Sequence, residues 1–163
     1  MRQRGLATDL IALAVSLLIC FAAAGLGSAW TLESIPTWYA GIRKPSWNPP
    51  NSIFGPVWTA LYFLMAVSAS IIWRREGWSR TGMVALGLFS IQLALNVAWS
   101  GLFFGLHRPD LAFVDIVLLW LAIAATIARF APISRPAAAL LVPYLAWVSF
   151  AGVLNLTIWR LNS

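Results

Sequence analysis

One cysteine, one histidine and five acidic residues are all that this 163-residue chain offers to conventional site chemistry. Cys20 lies inside the first apolar run, so no disulfide framework and no thiolate cluster can form. His107 stands alone in a short turn, and a Cys/His metal site needs three or four ligands. A Ser/His/Asp arrangement is implausible with the one histidine stranded in the 106–110 turn, and no glycine-rich phosphate loop is present. Charge is scarce as well. Only 10% of residues are charged, against roughly 25% in a soluble domain. That is too little to cover a water-facing surface. The net charge of +6 resides on cations at the ends of apolar runs and not along one face, which excludes a nucleic-acid binder.

What the chain has instead is apolar surface, 61% hydrophobic residues with a mean hydropathy of +0.81, and ten tryptophans. Five runs, residues 8–29, 55–73, 81–106, 111–130 and 136–159, are long enough as helices to cross a hydrocarbon core of about 30 Å. They are continuous, not alternating, so a transmembrane barrel does not fit and helices satisfy the backbone in lipid. The expected fold is an all-α membrane protein, a bundle of five transmembrane helices in a single domain over 1–163. A long structured loop, 30–54, separates the first two spans. The first run resembles a signal peptide with a small-residue site, but it is long enough for a retained span.

Cations set the expected orientation. Arg2, Arg4, Arg74, Arg75, Arg80, Arg129 and Arg135 flank the N-terminal side, seven in all; Arg43, Lys44, Arg108 and Arg160 flank the other, four in all. Seven against four puts the N-terminus in the cytoplasm and the long loop and C-terminus on the opposite side. Trp30, Trp73, Trp78 and Trp159 fall near the ends of spans, as interfacial anchors do.

Inside the spans, polar groups are few. Asp115 is the one acid well within a span, about a turn into the fourth, and a helix–helix hydrogen bond is its expected role. Gln92, Asn96 and Trp99 share a face of the third span by their spacing of four and three. Tyr144, Trp147, Ala151 and Asn155 share one on the fifth, and Trp58 and Tyr62 one on the second. Amides avoid lipid tails, so these faces point inward, either as interhelical glue or as the wall of an apolar, ring-lined cavity suited to a planar ligand. "GLFFG" at 101–105 predicts a close helix contact. In the loop, Pro45, Pro49, Pro50 and Pro56 impose a stiff extended-and-turn path. Trp38, Tyr39, Trp47 and Phe54 weight the loop toward the bundle, while Arg43 and Lys44 put positive charge at the mouth. The segment reads as a lid, or as a cap on the helix ends.

The stretches "WYAGIRKPSWNPP", "VWTALYFLM", "QLALNVAWSGLFFG" and "PYLAWVSFAGVLNLTIWRLN", in this order from about residue 38 to 162, resemble the tryptophan-rich sensory protein / translocator protein family (TspO/MBR, peripheral benzodiazepine receptor-like). The resemblance implies a five-helix bundle, commonly a homodimer, that binds protoporphyrin IX, haem and related tetrapyrroles. Some members of that family bind sterols or synthetic benzodiazepine and isoquinoline ligands. It further implies pocket positions at Trp38, Tyr39, Pro49, Trp58, Asn96, Trp99, Trp147, Ala151 and Leu154, to which the spacing adds Tyr62. Trp58 and Trp147 match the indoles associated with porphyrin photochemistry. No obligatory cofactor and no catalytic residues are expected; porphyrin is the expected ligand, held without iron ligation because no histidine or cysteine projects from these faces. The family's sterol motif is incomplete, since "LNLTIWR" has Leu156 and Thr157 where a tyrosine belongs. The leading expectation is a membrane receptor or sensor for tetrapyrroles in a Trp-lined pocket beneath the loop. Light-dependent porphyrin degradation and transport of porphyrins or other hydrophobic molecules are the alternatives, with no acid–base pair to support ordinary turnover. Small residues on the third span, Gly82, Ala85 and Gly87, suggest a homodimer face or packing within one bundle.

Overall fold

Long apolar runs with few helix breakers leave the backbone one way to pair its own N–H and C=O groups, and the chain takes it five times. The computed structural model describes residues 5–163. Arg2 and Arg4, counted above for the orientation, lie outside these residues. The elements are α1 (Leu6–Ser34), α2 (Trp38–Gly41), α3 (Asn51–Glu76), α4 (Arg80–Ser100), a π-helical turn (Gly101–Gly105), α5 (Pro109–Phe130), α6 (Arg135–Leu140) and α7 (Val142–Asn162). Five helical stretches are long and apolar enough to cross a membrane, the third being α4 with its π turn and the fifth α6 with α7. The chain is an all-α, multi-pass membrane protein. Its outer surface carries Leu6, Leu10, Leu18, Leu32 and Val114, as a lipid-facing bundle requires.

The spans run longer than the sequence suggests, and the loop is correspondingly shorter. α1 continues to Ser34, and α3 begins at Asn51. Pro50 is the N-cap of α3, with a φ of −56° that suits helix initiation. Pro56, expected to keep the chain extended, lies inside α3. It is the sixth residue of the helix, where the missing N–H forfeits one bond at an end whose first four donors lack intrahelical partners in any case. Between the spans, Trp38–Gly41 forms one helical turn where an extended path was expected.

At the end bearing Arg74 and Arg75, Arg74 pairs with Asp9 of α1 at 2.7 Å, and Arg75 donates to the Ile133 carbonyl at 2.7 Å. The turn before α4 is tight. Gly77 has φ 57°, Ser79 caps Gly82 N at 3.0 Å, and a Cβ on Gly82 would lie 2.7 Å from the Gly77 carbonyl. Gly82 is therefore covered by its own turn and Ala85 is fully buried, whereas Gly87 is exposed with nothing within 4 Å of a Cβ. At the opposite end lie the 35–50 segment, the π turn and the C-terminus of α7. The core runs between, through Met65, Ile72, Phe89, Leu119, Ile123, Phe130 and Tyr144.

Asp115 departs from expectation. It is buried on α5, yet one carboxylate oxygen has no hydrogen-bond partner, and both amide atoms of buried Gln92 are likewise unpaired.

Candidate functional site: a ring-walled cavity beneath the 35–50 segment

A cavity of about 550 Å³ opens between α1, α3, α4 with its π turn, and α7, at the end covered by the 35–50 segment. α3 contributes Trp58 and Tyr62, and α4 contributes Asn96 and Trp99. The π turn adds Phe103 and Phe104; α7 adds Trp147, Ala151, Leu154 and Asn155; Tyr39 of α2 and Phe54 close it from above. Eight of the sequence-predicted residues thus line this one cavity: Tyr39, Trp58, Tyr62, Asn96, Trp99, Trp147, Ala151 and Leu154.

The rings brace one another. Trp58 tilts against Tyr62 at 5.6 Å and meets Tyr144 edge-on at 6.2 Å, and Phe54 meets Trp147 edge-on at 5.9 Å. Trp99 stacks on Phe103 at 5.2 Å. Phe103 belongs to the π turn, and its spacing of four from Trp99 keeps the two rings on one face.

Two amides hold the walls in register. Tyr62 Oη donates to Asn96 Oδ1 at 2.8 Å, and Asn96 Nδ2 donates to Tyr144 Oη at 2.7 Å, joining α3, α4 and α7 in one buried chain. Trp99 Nε1 donates to Asn155 Oδ1 at 2.9 Å, while Asn155 Nδ2 donates to the Pro109 carbonyl at 2.7 Å. The amides thus serve as interhelical glue and as cavity wall at once, with one N–H and one oxygen lone pair still open on each. Gln92, on the same face as Asn96, lies below the floor and does not reach the cavity.

The remaining predicted residues stand elsewhere. Trp38 faces the π turn and stacks on His107 at 4.5 Å. His107 itself has a φ of 54°, a left-handed turn conformation that histidine tolerates better than most side chains. Pro49 is off the wall; its carbonyl accepts from Asn48 Nδ2 at 3.0 Å. Lys44 sits 4.7 Å above the Tyr39 ring and donates to the carbonyls of Tyr39 and Ile42, so it caps α2 and is not a free charge at the mouth. Arg43 is exposed, and its backbone N–H and carbonyl are both clamped by the Asn162 side chain, at 3.0 and 2.9 Å. Burial raises the Tyr39 phenol above its usual pKa, opposed by its hydrogen bond to Asn48, so it stands neutral at 2.9 Å from Asn48 Oδ1. Trp120, an indole within a span but outside the predicted site, points outward from α5 and donates to Ser149 Oγ at 2.8 Å.

Residues 16–160 match the TspO/MBR family model. The chain belongs to the TspO/MBR family. It is 45% identical over 155 residues to the tryptophan-rich protein TspO of Chlorobaculum tepidum, covering 94% of this chain and 98% of that one. To the translocator protein of Homo sapiens it is 45% identical over 126 residues, 77% of this chain and 75% of the relative. To the tryptophan-rich sensory protein of Cereibacter sphaeroides it is 40% identical over 125 residues, 77% of each. The matched residues reach into all five membrane-crossing helices and include every lining residue, so the cavity belongs to the matched region throughout.

Sequence reasoning missed one whole wall. Ala24, Gly25, Ser28, Thr31 and Leu32 of α1 line the cavity, with Ile35 at its C-cap. Their signal was present as a stripe of small and hydroxyl residues facing one way, but α1 is apolar all round and carries no amide or indole to mark a face. Trp30, expected near an interface, also packs on Gly101 and Gly105 while staying 39% exposed; a Cβ on Gly105 would lie 3.0 Å from the indole. The predicted close contact of "GLFFG" is therefore with α1.

Proposed function

We propose that this protein is a membrane receptor or sensor that binds a tetrapyrrole, of the protoporphyrin IX or haem type, in the cavity beneath the 35–50 segment. The observation that carries the reading is the union of Trp58, Trp99 and Trp147 around one apolar space of about 550 Å³, within the range of small-molecule sites. A planar macrocycle gains from stacking against such faces, and the open N–H and lone pair on Asn96 and Asn155 can orient its polar edge. The lining residues include no histidine or cysteine, so recognition rests on ring faces and shape instead of iron ligation. The names of relatives, a sensory protein and a translocator protein, agree with a binding role.

Titration of the purified protein with protoporphyrin IX, followed by tryptophan fluorescence, tests this. Trp58→Leu and Trp147→Leu should each weaken binding by about tenfold or more, as removal of a buried aromatic anchor does; wild-type affinity in both overturns the reading. The same two indoles favour light-dependent porphyrin breakdown as a second reading, because oxidisable rings would touch the macrocycle. Illumination decides it by whether absorbance of the complex decays faster than that of the Trp58→Leu mixture.

Two further parts of the proposal concern the whole chain. An inner N-terminus is supported by the seven-to-four excess of cations and is checked by reporters fused at each end. A homodimer through the exposed face of α4, with Gly87, Ile91 and Ala94, is supported by its small outward residues and is checked by mass photometry in nanodiscs.

A further inference from the structure

One wall of the cavity is also outer surface. The exposed lining residues are Gly25, Ser28 and Leu32 on α1 and Asn51, Gly55 and Thr59 on α3, together with Phe21 at one end. On each helix they recur every three or four residues, so they form two facing stripes. No heavy atom lies within 4 Å of a Cβ built on Gly25 or on Gly55, so both rims border open space.

The splay has a physical cause at each end. Toward the Arg74 end, α1 is tied to α3 by the Asp9–Arg74 pair, and Phe21 meets Tyr62 at 6.5 Å. Above Phe21, α1 leans on α4 instead. Gly27 approaches Ser100 so closely that a Cβ would stand 3.0 Å from its hydroxyl, and Trp30 is seated on Gly101 and Gly105. Glycine on both sides of this contact draws α1 toward α4 and away from α3. From Phe21 to Leu32 the slot is eleven residues long, about 16 Å at 1.5 Å per residue. That is about half the thickness of a 30 Å hydrocarbon core, the depth of one leaflet.

The covering segment is fastened by contrast. Asn162 clamps both backbone groups of Arg43, Trp38 stacks on His107, and Trp47 meets Phe150 at 5.9 Å. We infer that the ligand reaches the cavity sideways from the bilayer: a planar, membrane-dissolved molecule slides edge-on between α1 and α3 while the 35–50 segment stays shut. The route rests on the proposed ligand-binding role of the cavity. It restricts the ligand class to molecules that partition into the leaflet on the covered side, and it makes Gly25 and Gly55 determinants of the exchange rate.

The test uses the full chain in nanodiscs, with protoporphyrin IX delivered from donor vesicles and binding followed by stopped-flow tryptophan quenching. Gly25→Phe/Gly55→Phe should slow association and dissociation together by about tenfold or more. Asn162→Ala, which frees the cover, should leave both rates unchanged. Gly25→Cys/Gly55→Cys keeps the test independent of folding: a bulky thiosulfonate label added after reconstitution should slow exchange, and reductant should restore it. Wild-type rates in both the phenylalanine and the labelled variants, or faster exchange in Asn162→Ala, overturn the lateral route while leaving binding intact. No quenching in the unaltered protein overturns the binding reading itself, and the route with it.

Discussion

Asn96 illustrates how a single side chain can be both structure and wall. Its amide accepts from Tyr62 and donates to Tyr144, all buried, and it also faces the cavity. Asn96→Leu would orphan two phenolic hydroxyls, one donor and one acceptor, at about 1–3 kcal/mol each, since a buried polar group without its partner keeps its full desolvation cost. Thermal unfolding in detergent should show Asn96→Leu well below wild type. Adding Tyr62→Phe and Tyr144→Phe should recover most of the loss, because apolar partners of like shape ask for no bond. Gln92 predicts the opposite sign. Its amide is buried and unpaired, so Gln92→Met should raise stability by about 1–3 kcal/mol, the cost of an unsatisfied polar group. A lower unfolding midpoint would mean that the amide has an unseen partner, such as a bound water.

Within α4 the three glycine or alanine positions noted in the sequence have three different fates, and only packing distinguishes them. Gly82 is locked by its own turn, Ala85 is core, and Gly87 faces outward. Gly82→Ala should destabilise by about 1–3 kcal/mol, because its Cβ meets a backbone carbonyl that cannot move aside. Gly87→Ala should stabilise by about 0.5–1 kcal/mol, the usual gain in a helix interior. A denaturation series on the two variants reads both signs. Element boundaries follow the same lesson. Helical spans were legible because length and hydropathy force them in lipid, whereas the ends of α1 and α3 were not. Proline at residues 50 and 56 was read as a breaker, yet at the start of a helix it costs at most one bond. Likewise the break at Leu141, between α6 and α7, leaves no signature beyond the Pro143 that follows it.

At the scale of the whole molecule, the bundle is closed at one end and splayed at the other. Inward faces on α3, α4 and α7 were legible because indoles, phenols and amides recur at helical spacing, and these side chains mark a face in any lipid-exposed helix. The α1 wall was not, because glycine, serine and leucine mark none; only the seating of Trp30 on two glycines and of Gly27 on Ser100 reveals which way α1 leans. Lys44 was illegible for a related reason, since a sequence cannot show that its ammonium finds three carbonyls within its own turn. This asymmetry predicts where the molecule opens. Amide exchange in nanodiscs should run faster along the 21–32 part of α1 than along 10–20, where α3 covers it. Protoporphyrin IX should raise protection in 21–32 and 51–59 by about tenfold, the local counterpart of filling an open slot, and leave the opposite end unchanged. Uniform protection along α1, free and bound, would instead describe a bundle closed at both ends, with the ligand held elsewhere.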